Sequence, residues 1–155
     1  MRNYKISQMR TPTGKVMWCG AEDDEQEQII LWSENMKSMY PELDLLYHVP
    51  NGGKRTKSEA ARFKRMGVKS GVPDLVLPVA RGGYAGAYVE LKVGPNKATK
   101  NQEHWISKLE EQGYYTAVCY GSIEAEETIE WYLQQGKTVL MTMEQCGRKD
   151  AERGL

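Results

Sequence analysis

Asp74, Glu90 and Lys92 are the residues whose types and spacing could do chemistry. Pro73-Asp74 is followed, after fifteen intervening residues, by Glu90-Leu91-Lys92. On a strand, successive side chains point to opposite faces. Glu90 and Lys92 would therefore share one face, and Val89, Leu91 and Val93 the other. A charged pair inside the apolar frame YVELKV is unexpected for a core strand, because burying charge is costly unless it is paired or binds a metal. A hairpin would bring Asp74 beside Glu90. Two carboxylates, with the Leu91 carbonyl between Glu90 and Lys92, make a hard oxygen site of the kind Mg²⁺ prefers while it keeps waters and a substrate phosphate. Such a site suits phosphodiester hydrolysis, with a metal as Lewis acid and source of an oriented water. Lys92 would hold or deprotonate that water, or stabilise the phosphorane; the sequence leaves these roles open. An ordinary salt bridge on an exposed edge strand is the competing reading of Glu90 and Lys92.

The elements that must position these residues follow from hydrophobic periodicity. Residues 22–38 predict a helix with Ile29, Trp32 and Met36 on one stripe. Residues 44–49 predict a short strand, and Pro50-Asn51-Gly52-Gly53 a turn. Residues 56–66 predict a basic helix with Ala60, Phe63 and Met66 inward, ended by Gly67. Strands are expected at 74–78 and 86–93, with a turn at Arg81-Gly82-Gly83 between them. A helix at 100–112 would turn Trp105, Ile106 and Leu109 inward and close at Gly113. The apolar run 114–120 predicts a strand buried on both faces. A last helix is expected at 122–135, with Ser122 as its N-cap. This order predicts an α/β fold around a mixed sheet, with an antiparallel hairpin and a parallel crossover from 86 to 120.

Length and charge bound the rest. The chain has 155 residues, 21 basic and 21 acidic, and no formal net charge. One domain is expected, with an extension over 1–20, the domain over 21–136 and a tail over 137–155, both ends poorly ordered. Cys19, Cys119 and Cys146 show no metal-ligand spacing and fit a reducing compartment. No apolar run is long enough to cross a bilayer and no secretion signal is present, so a soluble cytoplasmic protein is expected. The charge is segregated. Residues 22–27 hold five acids and no base, whereas residues 54–69 hold seven bases and one acid. Within the basic block, the turn could bring Asn51, Lys54 and Arg55 to a ligand beside His48. Arg62, Lys64, Arg65 and Lys69 would add salt-sensitive contacts to a nucleic-acid backbone. No element is built to read base edges. His48 and His104 have no partner at ligand spacing.

The sequence resembles the PD-(D/E)xK nuclease superfamily, and within it the VRR-NUC family. The matching pieces span roughly residues 22–134 and occur in family order: E-x-x-E-Q before an apolar stripe ending at Trp32, H-V-P-N-G-G-K-R at 48–55, G-V-K-S-G-V-P-D-L at 67–75, Y-V-E-L-K at 88–92, N-Q at 101–102 and G-Y at 113–114. The chain is similar in size to the stand-alone members from phages and bacteria. The resemblance implies a restriction-endonuclease-like core, a mixed β-sheet flanked by helices. It implies that Asp74 and Glu90 bind Mg²⁺ or Mn²⁺, that Lys92 is the catalytic lysine, and that Gln102 orients water or phosphate. Thr99-Lys100-Asn101-Gln102 also reads as a capping box.

The family further uses a glutamate of the first helix. Glu22, Glu25 and Glu27 compete here. Glu25, four before Ile29 and seven before Trp32, lies on the inward stripe and is the expected site residue, with Glu22 as the alternate. Acids at a helix start are also favoured by the macrodipole, which explains the cluster without choosing a member. The implied activity is a metal-dependent, structure-specific DNA endonuclease acting on branched DNA, similar to Holliday-junction resolvases, working as a homodimer through Tyr84, Tyr88 and the last helix. A nicking or flap nuclease, a restriction-type enzyme, a nuclease of RNA–DNA hybrids and a catalytically silent DNA-binding module are the alternatives.

Overall fold

The computed structural model describes residues 7–10, 16–19, 22–50 and 56–139. The elements in chain order are β1 (Ser7–Arg10), β2 (Val16–Cys19), α1 (Glu22–Met36), a 3-10 helix (Pro41–Leu45), β3 (Tyr47–His48), α2 (Lys57–Arg65), β4 (Leu75–Leu77), β5 (Ala87–Lys92), α3 (Lys100–Glu111), β6 (Tyr115–Tyr120) and α4 (Ser122–Gln134). Strands β1 and β2 pair antiparallel as a separate two-stranded sheet, so the described part of the first twenty residues carries a ladder where a poorly ordered end was expected.

The main sheet has the order β3-β4-β5-β6. The β3–β4 and β4–β5 pairs are antiparallel and β5–β6 is parallel, which makes it the mixed α/β sheet that the element order predicts. Alternation sorts its residues. Leu75, Leu77, Ala87, Val89, Leu91 and Cys119 face the main core, where they meet Ile29 of α1 and Ala125, Ile129, Tyr132 and Leu133 of α4. Each fully buried aliphatic side chain contributes about 1.5–3 kcal/mol. The Tyr132 hydroxyl reaches this core without an unmet polar group, because it donates to the Val79 carbonyl at 2.7 Å. Glu90 and Lys92 point to the opposite face, the one toward α3, whose Gln102 meets Glu90.

Several expectations shift for local reasons. The strand expected over 44–49 is only Tyr47–His48. Pro41, with its φ preset near the helical value, starts a 3-10 turn that takes residues 41–45 instead and buries Leu43. Helix α2 forms at the expected place between a Thr56–Glu59 capping box and Gly67, yet none of its residues is buried. Ala60 is exposed, and Met66 lies beyond the helix and is also exposed, because α2 does not lie on the sheet; only Phe63 is half-covered. Strand β6 is an edge of the described sheet, so most of it is half-buried rather than enclosed on both faces. On α3 only Leu109 is buried, with Trp105 and Ile106 half-covered. The N-cap of α4 is Gly121, at φ +84°, not Ser122, because the acceptor for this helix start comes from another helix, as described below.

The turn between β4 and β5 is as expected: Arg81 bridges to Tyr84, with Gly82 and Gly83 at positive φ. Arg81 also bridges to Lys137, and Gly83 donates to the Thr138 hydroxyl at 2.9 Å, so the chain stays paired past residue 136. The buried Arg81 guanidinium is matched by the Glu42 carboxylate and by the Ala80 carbonyl.

Candidate active site

The β4–β5 register pairs Leu75 with Val89 and Leu77 with Ala87. One step further along that ladder Asp74 stands opposite Glu90, on the same face. Strand β4 begins only at Leu75, so Asp74 lies just outside the ladder. Its carboxylate instead takes the Leu91 N–H, at 2.9 Å. A strand residue's N–H and C=O point the same way, so the Leu91 carbonyl also faces this open end. Glu90 and Lys92 turn their backbone groups to the other side, where the Lys92 carbonyl accepts from Gly121 at 2.9 Å.

Glu90 is fully buried and Lys92 nearly so. Lys92 Nζ donates to Glu90 Oε1 at 2.5 Å, and Gln102 Nε2 donates to the same oxygen. Glu90 Oε2 is buried without a hydrogen-bond partner among the described residues. Burial pushes the Glu90 carboxyl up to about 7; the Lys92 ammonium opposes the rise, and the nearby Asp74 and Glu22 charges add to it. An orphaned carboxylate oxygen deep in the protein costs free energy unless something meets it. Oε2, the Asp74 carboxylate and the Leu91 carbonyl are oxygen donors of the type Mg²⁺ or Mn²⁺ takes, so the residues present fit a hard divalent cation. Among the described residues no group of three or more His, Cys, Asp or Glu side chains forms a cage.

Gln102 closes the capping box of α3 and also touches the charged pair. Its Oε1 accepts from the Thr99 N–H at 2.8 Å while Thr99 Oγ1 accepts from the Gln102 N–H at 3.3 Å, the capping box of α3. Its amide nitrogen is left to reach Glu90. The cap thereby fixes the rotamer of a residue that touches the charged pair.

The two first-helix glutamates part company. Glu25 is buried, and its carboxylate accepts from the Ser122 N–H at 2.6 Å, serving the orphan donors at the start of α4. Glu22 lies one turn earlier and lines a cavity of about 250 Å³ with His48, Asp74 and Leu91. It also lines an adjoining cavity of about 230 Å³ with Asp74, Ser70, Thr99, Asn101 and Gln102. His48 is exposed and its Nδ1 lies 3.0 Å from the Asp74 carbonyl, which also accepts from Val49 at 2.7 Å, so β3 pins Asp74 from its own side.

The basic residues divide as well. Arg62, Lys64 and Arg65 are exposed on the last turn of α2, and Lys69 is exposed in the loop that follows. Asn51, Lys54 and Arg55 lie outside the described residues. Sequence reasoning missed the loop that joins the two regions. Asn101 Nδ2 donates to the Ser70 carbonyl at 2.7 Å and Trp105 Nε1 to the same oxygen at 3.1 Å. Gly71 sits at φ +85°, where a Cβ would lie 2.6 Å from Asn101 Nδ2. The Ser-Gly pair before Pro73-Asp74 is the available signal for such a turn.

A carboxylate pair with an adjacent lysine is an arrangement that can activate water at a phosphodiester. The model of the VRR-NUC domain family matches residues 21–123. A solved structure described as a VRR-NUC domain protein superposes with a TM-score of 0.65 at 37% identity, covering 75% of this chain and 90% of its own. No curated protein matches the chain.

Proposed function

The chain belongs to the VRR-NUC family, with a nuclease-type domain of restriction-endonuclease-like fold, and from that premise we propose that it is a Mg²⁺- or Mn²⁺-dependent DNA endonuclease. The observation that carries this reading is the buried Glu90 with one oxygen held by Lys92 and the other, beside Asp74, without a partner among the described residues. Asp74, Glu90 and the Leu91 carbonyl would hold the cation, and Glu22 adds negative charge to the same cavity. When bound, the cation supplies Lewis acidity and lowers the pKa of water. Lys92, fixed by Glu90, presents an ammonium to the attacking water or the phosphate oxygens. Gln102 keeps the Glu90 carboxylate in place. Arg62, Lys64, Arg65 and Lys69 contact the DNA backbone, so binding weakens as salt rises.

Branched DNA is the proposed substrate, and a homodimer the proposed working form, since two coordinated nicks call for two symmetric sites. Tyr84, Tyr88 and the last helix, which exposes Trp131, are the candidates for its contact. Among the described residues no helix is long and apolar enough to cross a membrane.

The test is cleavage of linear duplex, single strand, 5′ flap and four-way junction with Mg²⁺, Mn²⁺ or EDTA, by the wild type and Lys92→Ala. Metal-dependent cuts lost in Lys92→Ala support the enzyme; paired symmetric nicks in the junction support the branched substrate. Binding with no cut in either metal would leave a silent DNA-binding module.

A further inference from the structure

A third cavity, of about 480 Å³, opens beside the two that surround Asp74 and shares Ser70 and Asn101 with the nearer one. Its other walls include Phe63 and Lys64 of α2, Lys69 of the following loop and Trp105 of α3. The three cavities thus form one continuous lining, and its chemistry changes along the way. Near the site it carries Glu22 and Asp74; in the third cavity no carboxylate lines the wall among the described residues, and two lysines do. Two aromatic rings beside two ammonium groups match a nucleotide, whose base has flat apolar faces and whose phosphate is anionic. The volume falls within the range of about 300–1,000 Å³ seen for pockets that hold small organic ligands.

The α3 wall is built before anything arrives. The Trp105 indole is oriented by its bond to the Ser70 carbonyl, and Asn101 holds both that carbonyl and, at 3.0 Å, the Ser70 hydroxyl. Gly71 leaves room for the Asn101 amide that a side chain would displace. A paired base has both faces covered by its neighbours, so such rings are accessible only to a nucleotide outside the stack.

We propose that the groove between α2 and α3 binds an unpaired nucleotide of the DNA substrate, its base against Trp105 and Phe63 and its phosphate on Lys64 and Lys69. The groove thereby selects DNA with an unpaired nucleotide next to the strand entering the Asp74–Glu90 site. This rests on the nuclease reading and narrows its branched substrates to those that carry an unpaired nucleotide, a flap in preference to a fully paired four-way junction.

The experiment is fluorescence anisotropy of the full chain in EDTA with three otherwise identical duplexes: blunt, carrying a short unpaired tail, and carrying the same tail with abasic sugars. The tail is expected to tighten binding about 5- to 150-fold, the range that stacking of one base provides. The abasic tail, which keeps every phosphate, is expected to lose that gain. Trp105→Ala is expected to lose it as well and Trp105→Phe to keep it, with thermal melts confirming that both variants fold. Equal binding of blunt and tailed duplex overturns the proposal, as does an abasic tail that binds as well as the normal one, which would mean backbone charge alone. Either result leaves the nuclease standing if duplex is still cut with Mg²⁺. Failure to bind or cut any DNA would sink both.

Discussion

Lys92 Nζ lies 2.5 Å from Glu90 Oε1, both side chains are buried, and the second oxygen of that carboxylate meets no donor among the described residues. The lysine is therefore as much the counter-charge of the carboxylate as a group aimed at substrate. Lys92→Ala is expected to cut the cleavage rate about 10²- to 10⁴-fold, the usual worth of a positioned acid–base or charge-stabilising group. It should also cost about 3–5 kcal/mol of stability at pH 8, since one partner of a buried pair is removed. Denaturant melts at pH 8 and pH 5 check the cause: the loss should shrink at pH 5, where Glu90 takes a proton. Equal losses at both pH values would refute the charge explanation.

The Glu90 carboxyl, raised by burial from 4.5 to about 7, predicts a pH trend with a definite sign. In the metal-free protein the folded state binds this proton more tightly than the unfolded chain, so stability falls as pH rises between 4.5 and about 7. The contribution is of the order of 3 kcal/mol. Glu90→Gln should flatten that slope. Urea melts in EDTA from pH 4.5 to 8 measure it, and an unchanged slope in the variant would exclude Glu90 as the source.

Added cation should reverse the trend. A metal that needs the Glu90 carboxylate competes with its proton, so affinity for Mg²⁺ or Mn²⁺ should strengthen as pH rises toward 8. At a hundredfold excess over Kd, the gain in stability is about 2.7 kcal/mol. For a chain of this size that raises Tm by several degrees, at about 2–4 °C per kcal/mol. Thermal melts with and without Mg²⁺ should show the rise in the wild type and its absence in Asp74→Asn.

Glu22 and Glu25 should fail in different ways. Glu25→Ala removes a buried acceptor from the first turn of α4 and is expected to cost about 1–3 kcal/mol of stability. Glu22→Ala should leave the melting curve within about 0.5 kcal/mol, as an exposed position does, and reduce cleavage. Calorimetry beside a cleavage assay on both variants decides the assignment. A destabilised Glu22→Ala with full activity would return the site role to Glu25.

Gly71→Ala tests the loop before Asp74. At φ +85°, with Asn101 in the way, the methyl should cost about 1–3 kcal/mol. It should also loosen the Ser70 carbonyl from Asn101 and Trp105, which amide exchange at these residues would register.

The sequence and the structure agree most closely where chemistry and pattern coincide. Glu90 and Lys92 stand out because charge in an apolar strand has few explanations, and the hairpin that brings Asp74 beside them is written in its turn glycines. Side-chain destinations set by distant partners were not legible. The period of α1 puts Glu25 on the inward stripe, and it does face inward, but the stripe cannot tell a metal from the N–H of Ser122, ninety-seven residues away. Ser122 looks like an N-cap for the same reason: local rules assume that the cap is local. The apolar run of β6 resembles a central strand because nothing in its own residues tells that one of its edges has no partner strand in the described sheet. Phe63 was expected in the core, yet α2 offers it to a groove, and no helical period reveals which of the two is opposite.

Helix α2 has nine residues and buries none of them. Isolated helices shorter than about 12–15 residues are marginal in water, so α2 leans on its two ends. One wall of the groove is thus held cheaply while the α3 wall is held firmly. Ordering the weaker wall would then be charged to each encounter with DNA, and release would restore that entropy. A groove built this way would discriminate between ligands without gripping the chosen one for long, so selectivity and turnover need not oppose each other. Hydrogen exchange in α2 should accordingly slow by a larger factor on DNA binding than exchange in α3.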